Sequence, residues 1–133
     1  MPTNVTWKLN LEVQSGPKVL EAKTVQVDAF DRIEVTVPDT TGQPKATEID
    51  IQPGAPGKIK VLLIRSNNYG DDLTYQVHDT STDVRVLNDA LFLAGGGSLE
   101  LLDATSAPLD KLLVTNETGK PAIVEIIVGR AAI

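Results

Sequence analysis

Cysteine is absent from the 133-residue chain, and histidine occurs only once, as His78. Without cysteine the protein forms neither disulfide bonds nor thiolate metal sites, and it has no thiol nucleophile; this composition fits a reducing compartment. A Ser–His–Asp mechanism would depend on His78, which falls on the polar side of its predicted strand. The chain also lacks a Gly-x-Ser-x-Gly nucleophile motif. We therefore predict that the protein is not an enzyme.

Aromatic residues are scarce, at 4% of the chain. Trp7 and Tyr75 occupy the apolar positions of their predicted strands, so we expect both in the hydrophobic core. Tyr69, in a predicted loop, is then the aromatic residue best placed for recognition. This leaves little with which to bind a carbohydrate.

Positive charge is in the minority, with 12 Lys and Arg against 18 Asp and Glu, a net charge of −6 and a pI near 4.6. Such a surface repels phosphate backbones, so we predict no nucleic-acid partner. Apolar runs of the roughly 18–20 residues that span a membrane are also missing, and we predict no membrane partner. Residues 1–4 have no signal-peptide character, so we expect the chain to be cytoplasmic at synthesis.

Metal-binding and phosphate-binding motifs are incomplete. Residues 79–83 have the Asp-x-Ser-x-Asp start of a calcium loop, but Val84 and Ala90 stand where such a loop needs glycine and a bidentate glutamate. The glycines of residues 95–97 lack the Gly-Lys-Ser/Thr ending of a P-loop. We predict no cofactor and no metal site. A module that binds calcium or a small polar ligand through loops 67–72 and 79–83 remains the alternative function.

The chain is rich in short alternating segments, of which Val5–Val13 is the clearest. Predicted strands recur at the spacing of all-β domains, with Gly, Pro, Asn and Asp between them. They cover residues 5–13, 19–29, 32–37, 47–52, 58–64, 73–78, 99–101, 110–115 and 122–129.

Val84–Ala94 is ambiguous. Its apolar residues fit helical spacing, with Asp83 as a cap and Gly95 as a stop, but its valines and its Leu-Phe-Leu run favour extended structure. We favour strand. The pattern then predicts a single all-β domain over residues 1–133, an antiparallel β-sandwich or jelly roll of about eight to ten short strands with little or no helix. A small barrel remains open.

The last third of the chain is the most apolar region. Residues 110–115 and 122–129 flank a turn-forming segment, which predicts a β-hairpin with a long loop. The second arm is apolar on both faces and needs cover from a facing sheet and from another subunit. We therefore expect Ile123, Ile127 and the terminal Ile133 to form an interface in a homo-oligomer.

The same region carries a resemblance. A Gly-rich turn precedes a short alternating strand in Leu93–Leu101, an LxKLxV strand follows in Leu109–Asn116, and a VxIxVG strand lies in Ala122–Gly129. These segments resemble the C-terminal sandwich regions of small tailed-phage virion proteins of the cement, head-decoration and fibre-base types. The resemblance implies action through surfaces rather than a catalytic motif.

Together these observations predict a non-enzymatic structural or accessory protein. It self-associates into a symmetric dimer or trimer, contacts other structural subunits, and resides in the virion if it derives from a phage. Its association would depend on Ile123, Ile127 and Ile133.

Overall fold

The computed structural model describes residues 3–51, 58–77, 84–95 and 111–131. Over these ranges the chain forms ten antiparallel strands and no helix, which confirms the predicted all-β class. Nothing in the described ranges is therefore a helix of the length and apolarity needed to cross a membrane. The strands are β1 (Thr3–Glu12), β2 (Lys18–Val27), β3 (Ala29–Val37), β4 (Thr47–Asp50), β5 (Lys58–Ser66), β6 (Leu73–Val77), β7 (Arg85–Val86), β8 (Leu91–Ala94), β9 (Lys111–Asn116) and β10 (Ala122–Ala131).

Eight of these strands form a β-sandwich, as the alternating pattern predicts. One sheet has the order β3-β10-β5-β8 and is called here the β10 sheet. The other has the order β4-β9-β6-β7 and is called the β9 sheet. Alternate residues of each strand point between the sheets and exclude water from a common core. The largest of its fully buried side chains include Ile51, Leu62, Ile64, Leu73, Leu87, Leu112 and Ile126.

Strands with cover on both sides lie in the middle of their sheets. β5 lies between β10 and β8, which confirms the central position expected from its apolar residues on both faces. β10 lies between β3 and β5 and buries Val124, Ile126 and Val128 against the β9 sheet. Tyr75 of β6 is in the core, as predicted.

The predicted C-terminal hairpin is wrong. β9 pairs with β4 and β6, whereas β10 pairs with β3 and β5, so the two strands lie in different sheets. The connecting residues 117–121 do reverse the chain, but they cross the gap of about 10 Å between the sheets. Asn116 fixes this crossing, because its buried amide donates to the carbonyls of Val37 and Lys120 at 3.1 and 2.7 Å. A local turn pattern predicts that the chain reverses, but it does not predict which strand the next one pairs with.

The ambiguous segment Val84–Ala94 is extended, as favoured. It forms β7 and β8, which belong to different sheets and are joined through the buried Leu87. Gly95 follows with a φ of +87°, a left-handed conformation that favours glycine. The predicted strand at residues 99–101 lies outside the described residues.

The first two strands form a separate two-stranded sheet. The prediction that Trp7 belongs to the sandwich core is therefore wrong: Trp7 is half-buried where this hairpin meets the outside of the β10 sheet. The predicted strand at Val5–Val13 does form as β1, which ends at Glu12, but Leu9 and Leu11 in its distal half and Val13 just beyond it are exposed. Periodicity assigned the strand correctly and could not show which sheet it joins.

Candidate interaction surface

The β1–β2 hairpin is long and regular. Its register runs without a break from the pair Thr3–Val27 to the pair Glu12–Lys18, which is ten residues per strand. At about 3.3 Å per residue the arm is about 33 Å long. A tight turn closes it, in which Gly16 N–H donates to the Val13 carbonyl at 2.8 Å.

The two faces of this hairpin differ in chemistry, since directly paired residues share a face. We call one of them the hairpin's apolar face, and the opposite face is mostly polar. On the polar face the Thr6 and Thr24 hydroxyls bond at 3.1 Å and Lys18 pairs with Glu12 at 3.2 Å. The apolar face consists of Thr3, Val5, Trp7, Leu9 and Leu11 from β1 and Val19, Glu21, Lys23, Val25 and Val27 from β2.

The root of the hairpin is seated on the outer face of the β10 sheet. The rings of Trp7 and Phe92 meet edge to face, with centroids 5.5 Å apart. Val27 is buried over Gly129, where an added Cβ would lie 3.0 Å from Val27 Cγ1 and 2.7 Å from Val61 Cγ1. The backbone continues the contact, because Asp28 N–H donates to the Arg130 carbonyl at 2.8 Å. Gly129 thus provides the space into which the root fits.

The distal half of the same apolar face has no cover. Every residue from position 8 to position 24 is exposed, and Leu9, Leu11 and Val19 remain 46%, 55% and 46% accessible. A two-stranded sheet is marginally stable in water unless a face packs against something else. Contiguous apolar surface of this kind marks interaction sites in soluble proteins.

The outer face of the β10 sheet carries a charged cluster beyond the root. Glu125, the one charged residue among the apolar residues 122–129 of β10, is 7% exposed. Arg65 Nε donates to one carboxylate oxygen, and Arg32 Nε donates to the other at 2.7 Å. Arg32 also reaches Glu34 at 3.3 Å. The hydrogen bond from Arg65 and those from Arg32 hold the pKa of Glu125 below its usual value, although burial acts in the opposite direction.

Next to this cluster lies a shallow cavity of about 390 Å³. We call it, with its rim, the outer patch. Ile123 and Tyr69 contribute exposed apolar surface there, at 38% and 36% accessibility. Asn67 holds the edge of the patch, because its side-chain oxygen accepts from Ile123 N–H at 2.8 Å. The lining residues are Arg32, Glu34, Arg65, Ser66, Asn67, Tyr69, Ile123 and Glu125.

The structure brings two of the three predicted interface residues to this face. Ile123 is exposed on the outer patch, and Ile127 is half-buried on the same face, between the charged cluster and the hairpin root. Ile133 lies outside the described residues. The cover that the second face of β10 requires comes in part from the chain's own N-terminal hairpin, which the sequence interpretation did not anticipate.

The loops of the alternative ligand-binding function are only partly described. In loop 67–72, Asn68 donates to the Thr118 hydroxyl at 2.7 Å, and Asp71 accepts from Asn88 at 3.2 Å. These side chains therefore connect neighbouring loops. His78 and residues 79–83 lie outside the described residues, and the described ones contain no group of three or more potential metal ligands. The calcium hypothesis stays a prediction.

The distal hairpin surface is the feature that sequence reasoning missed. A signal was available, because Ser15-Gly16-Pro17 is a short turn between two long alternating segments and so favours pairing of β1 with β2. Charged residues at Glu21 and Lys23, in phase with the valines of β2, also indicate that this part of the face meets solvent.

Comparison with protein families, curated proteins and solved structures gave no match to this chain. The fold and the surface define the class on their own: an antiparallel β-sandwich with a long N-terminal hairpin, half seated and half uncovered.

Proposed function

We propose that the protein is a non-enzymatic structural or accessory subunit that self-associates into a symmetric dimer or trimer. The observation that carries this proposal is the hairpin's apolar face, whose distal half presents Leu9, Leu11 and Val19 to water. In a monomer these apolar side chains stay in contact with water, which is unfavourable. A symmetric assembly would bury the same side chains once in every subunit.

The outer patch, which is formed mainly by strands other than the hairpin, supports the same proposal through its exposed apolar residues. Ile123 and Tyr69 are exposed beside a cavity on the outside of β10 and β5. Ile127, closer to the hairpin root, is already half covered. Ile123 is therefore the predicted interface residue that is best placed to meet a partner without disturbing the fold.

The sheet topology supports a virion role within this class. From β3 to β10 each strand lies in the opposite sheet from the one before it, except that β6 and β7 pair within one sheet. The resulting orders, β3-β10-β5-β8 facing β4-β9-β6-β7, are those expected of a jelly roll. Jelly rolls build viral capsid domains as well as lectin domains. Together with the resemblance of residues 93–129 to cement, head-decoration and fibre-base proteins, this favours a capsid decoration, cement or tail component that contacts other structural subunits.

Light scattering on a sizing column tests the proposal. We expect a mass that is a whole multiple of 14.2 kDa and that persists on dilution. Ile123→Asp should reduce that mass to one chain while the far-ultraviolet circular dichroism stays that of a β protein. Val86→Asp is the matched control, because Val86 is exposed on β7 of the other sheet.

A clean monomer at every concentration would overturn the proposal. An unchanged oligomer from a folded Ile123→Asp variant would remove the outer patch from the interface.

A further inference from the structure

We propose that the distal half of the hairpin's apolar face seats on the outer patch of a second copy of this chain, so that each subunit clasps its neighbour with its N-terminal arm. This inference rests on the proposed self-association and names the two surfaces that meet. One surface is Leu9, Leu11 and Val19, and the other is the patch around Ile123 and Tyr69.

The chain itself shows what kind of surface the hairpin's apolar face fits. Its root packs on the outer face of the β10 sheet, through Trp7 against Phe92 and Val27 against Gly129. The distal half continues the same face of the same two strands, with the same alternation of apolar side chains. It is therefore suited to the same kind of partner, an open β-sheet face with aliphatic and aromatic side chains. The outer patch offers Ile123 and Tyr69 of this kind, surrounded by polar and charged side chains.

The hairpin root covers only half of the outer face of the β10 sheet along β10. Along the outside of β10, the root covers the end at Gly129, while the end at Ile123 stays open. Because residues 8–24 are all exposed, the hairpin's own distal half does not cover the patch in its own subunit. Each copy thus has an uncovered outer patch and an uncovered distal half of the hairpin's apolar face. In a pair of copies, the hairpin of each can cover the patch of the other.

Charge is compatible with this occupant. Glu21 and Lys23 lie two residues apart on the hairpin's apolar face, and neither has an ion pair within the described part of the chain. On the patch, Glu34 and Arg65 lie on either side of Glu125 and have side chains that are 52% and 59% exposed. Glu34 already pairs with Arg32, and Arg65 with Glu125, so a seated arm adds one carboxylate and one ammonium group to a network that holds both signs of charge.

Cysteine cross-linking tests the contact directly, since the natural chain has no cysteine. Leu11→Cys is mixed with Ile123→Cys, one of the two being isotopically labelled, and the mixture is oxidised. We expect a covalent dimer that contains one labelled and one unlabelled chain. Leu20→Cys with Ile123→Cys is the matched control, because Leu20 is 68% exposed on the opposite face of the same hairpin and should stay unlinked.

Charge insertion gives a second readout. Leu11→Asp should reduce the oligomer to a mass of 14.2 kDa, whereas Leu20→Asp should keep the wild-type mass. Both positions are exposed, so both variants should fold, which circular dichroism checks. If a folded Leu11→Asp variant keeps the mass of the wild-type oligomer, the proposed contact between hairpin and patch is wrong, and the proposed function is unaffected.

Two other outcomes would also overturn the clasp. Predominant Leu11–Leu11 cross-links between the cysteine variants would mean that the hairpins pack on each other instead. A wild-type chain that is monomeric throughout would remove the proposed function and the clasp together.

Discussion

β1 and β10 are each ten residues long and show how much depends on what covers a strand. β10 has hydrogen-bonded neighbours on both edges and the β9 sheet against one face, and six of its residues are buried. β1 has one neighbour, β2, and none of its residues is buried. Both strands carry valine, leucine or isoleucine at alternate positions. The same β-forming chemistry thus gives the centre of a core in one place and a projecting arm in the other.

The charged residues of β10 and of the β1–β2 hairpin are placed differently. In β10 the one charged residue before Gly129 is Glu125, and two guanidinium groups hold its carboxylate. In the hairpin, charged residues recur on both faces, and Glu21 and Lys23 interrupt even the apolar one. A core strand satisfies its rare charge from neighbouring strands, whereas the arm keeps its charges in water. We therefore expect the two regions to respond differently to substitution.

The largest difference should come from shortening one buried and one exposed aliphatic side chain. Ile126 is fully buried, so Ile126→Ala should lower the free energy of unfolding by about 2–5 kcal/mol, through lost burial and the cavity left behind. Leu20 is 68% exposed on the arm's polar face, so Leu20→Ala should change it by no more than about 0.5 kcal/mol. Urea unfolding of both variants measures the contrast. Comparable losses at the two positions would mean that the arm is packed far better than its exposure indicates.

A smaller effect is expected at the junction of the two regions. Gly129→Ala would place a Cβ within 2.7 Å of Val61 Cγ1 and 3.0 Å of Val27 Cγ1, and we expect overpacking to cost about 1–3 kcal/mol. Trp7 is the only tryptophan and lies in the root, so its fluorescence should report loosening of the hairpin as well as global unfolding.

Gly70→Ala is the control for that experiment, because the nearest atom to its added Cβ is 3.6 Å away. It should leave both the fluorescence and the melting temperature close to wild type. An unperturbed Gly129→Ala variant would show that the root is not seated as described.

Local sequence pattern predicts much of this fold for a physical reason. Alternation reports that one side of a strand is covered, so β3, β5, β6 and β10 could be assigned from their own residues. Glycine, proline and asparagine likewise mark where the chain turns. The central position of β5 followed from Leu62 and Ile64, which add a second apolar face.

Which strands pair with each other depends on residues far apart in the chain, and the local sequence pattern does not predict it. The turn between β9 and β10 has the composition of a hairpin loop, yet contacts from Asn116 to Val37 and Lys120 direct it across to the other sheet. Trp7 was expected in the core because its strand alternates, but the covering surface is Phe92, 85 positions further along the chain. The hairpin's distal face alternates in the same way, and its lack of cover could be found only from the structure.

The smallest expected effect is the pH response of the Glu125 cluster. Because Arg65 and Arg32 hold the pKa of Glu125 below the value it has in the unfolded chain, this carboxylate stabilises the fold above its unfolded pKa. That contribution should be lost as the pH falls through the lower, folded-state pKa. Glu125→Gln should therefore be less stable than wild type at neutral pH, and the difference should shrink in acid. Melting temperatures measured from neutral to acidic pH test this. Glu12→Gln is the control, because Glu12 lies on the polar face of the arm and only forms an exposed ion pair with Lys18, so this variant should follow the wild-type profile. A Glu125→Gln profile parallel to that of wild type would show that the two arginines contribute no net stabilisation through this carboxylate. The stability of the fold would then depend on the charge of the outer patch no more than on the charge of the arm.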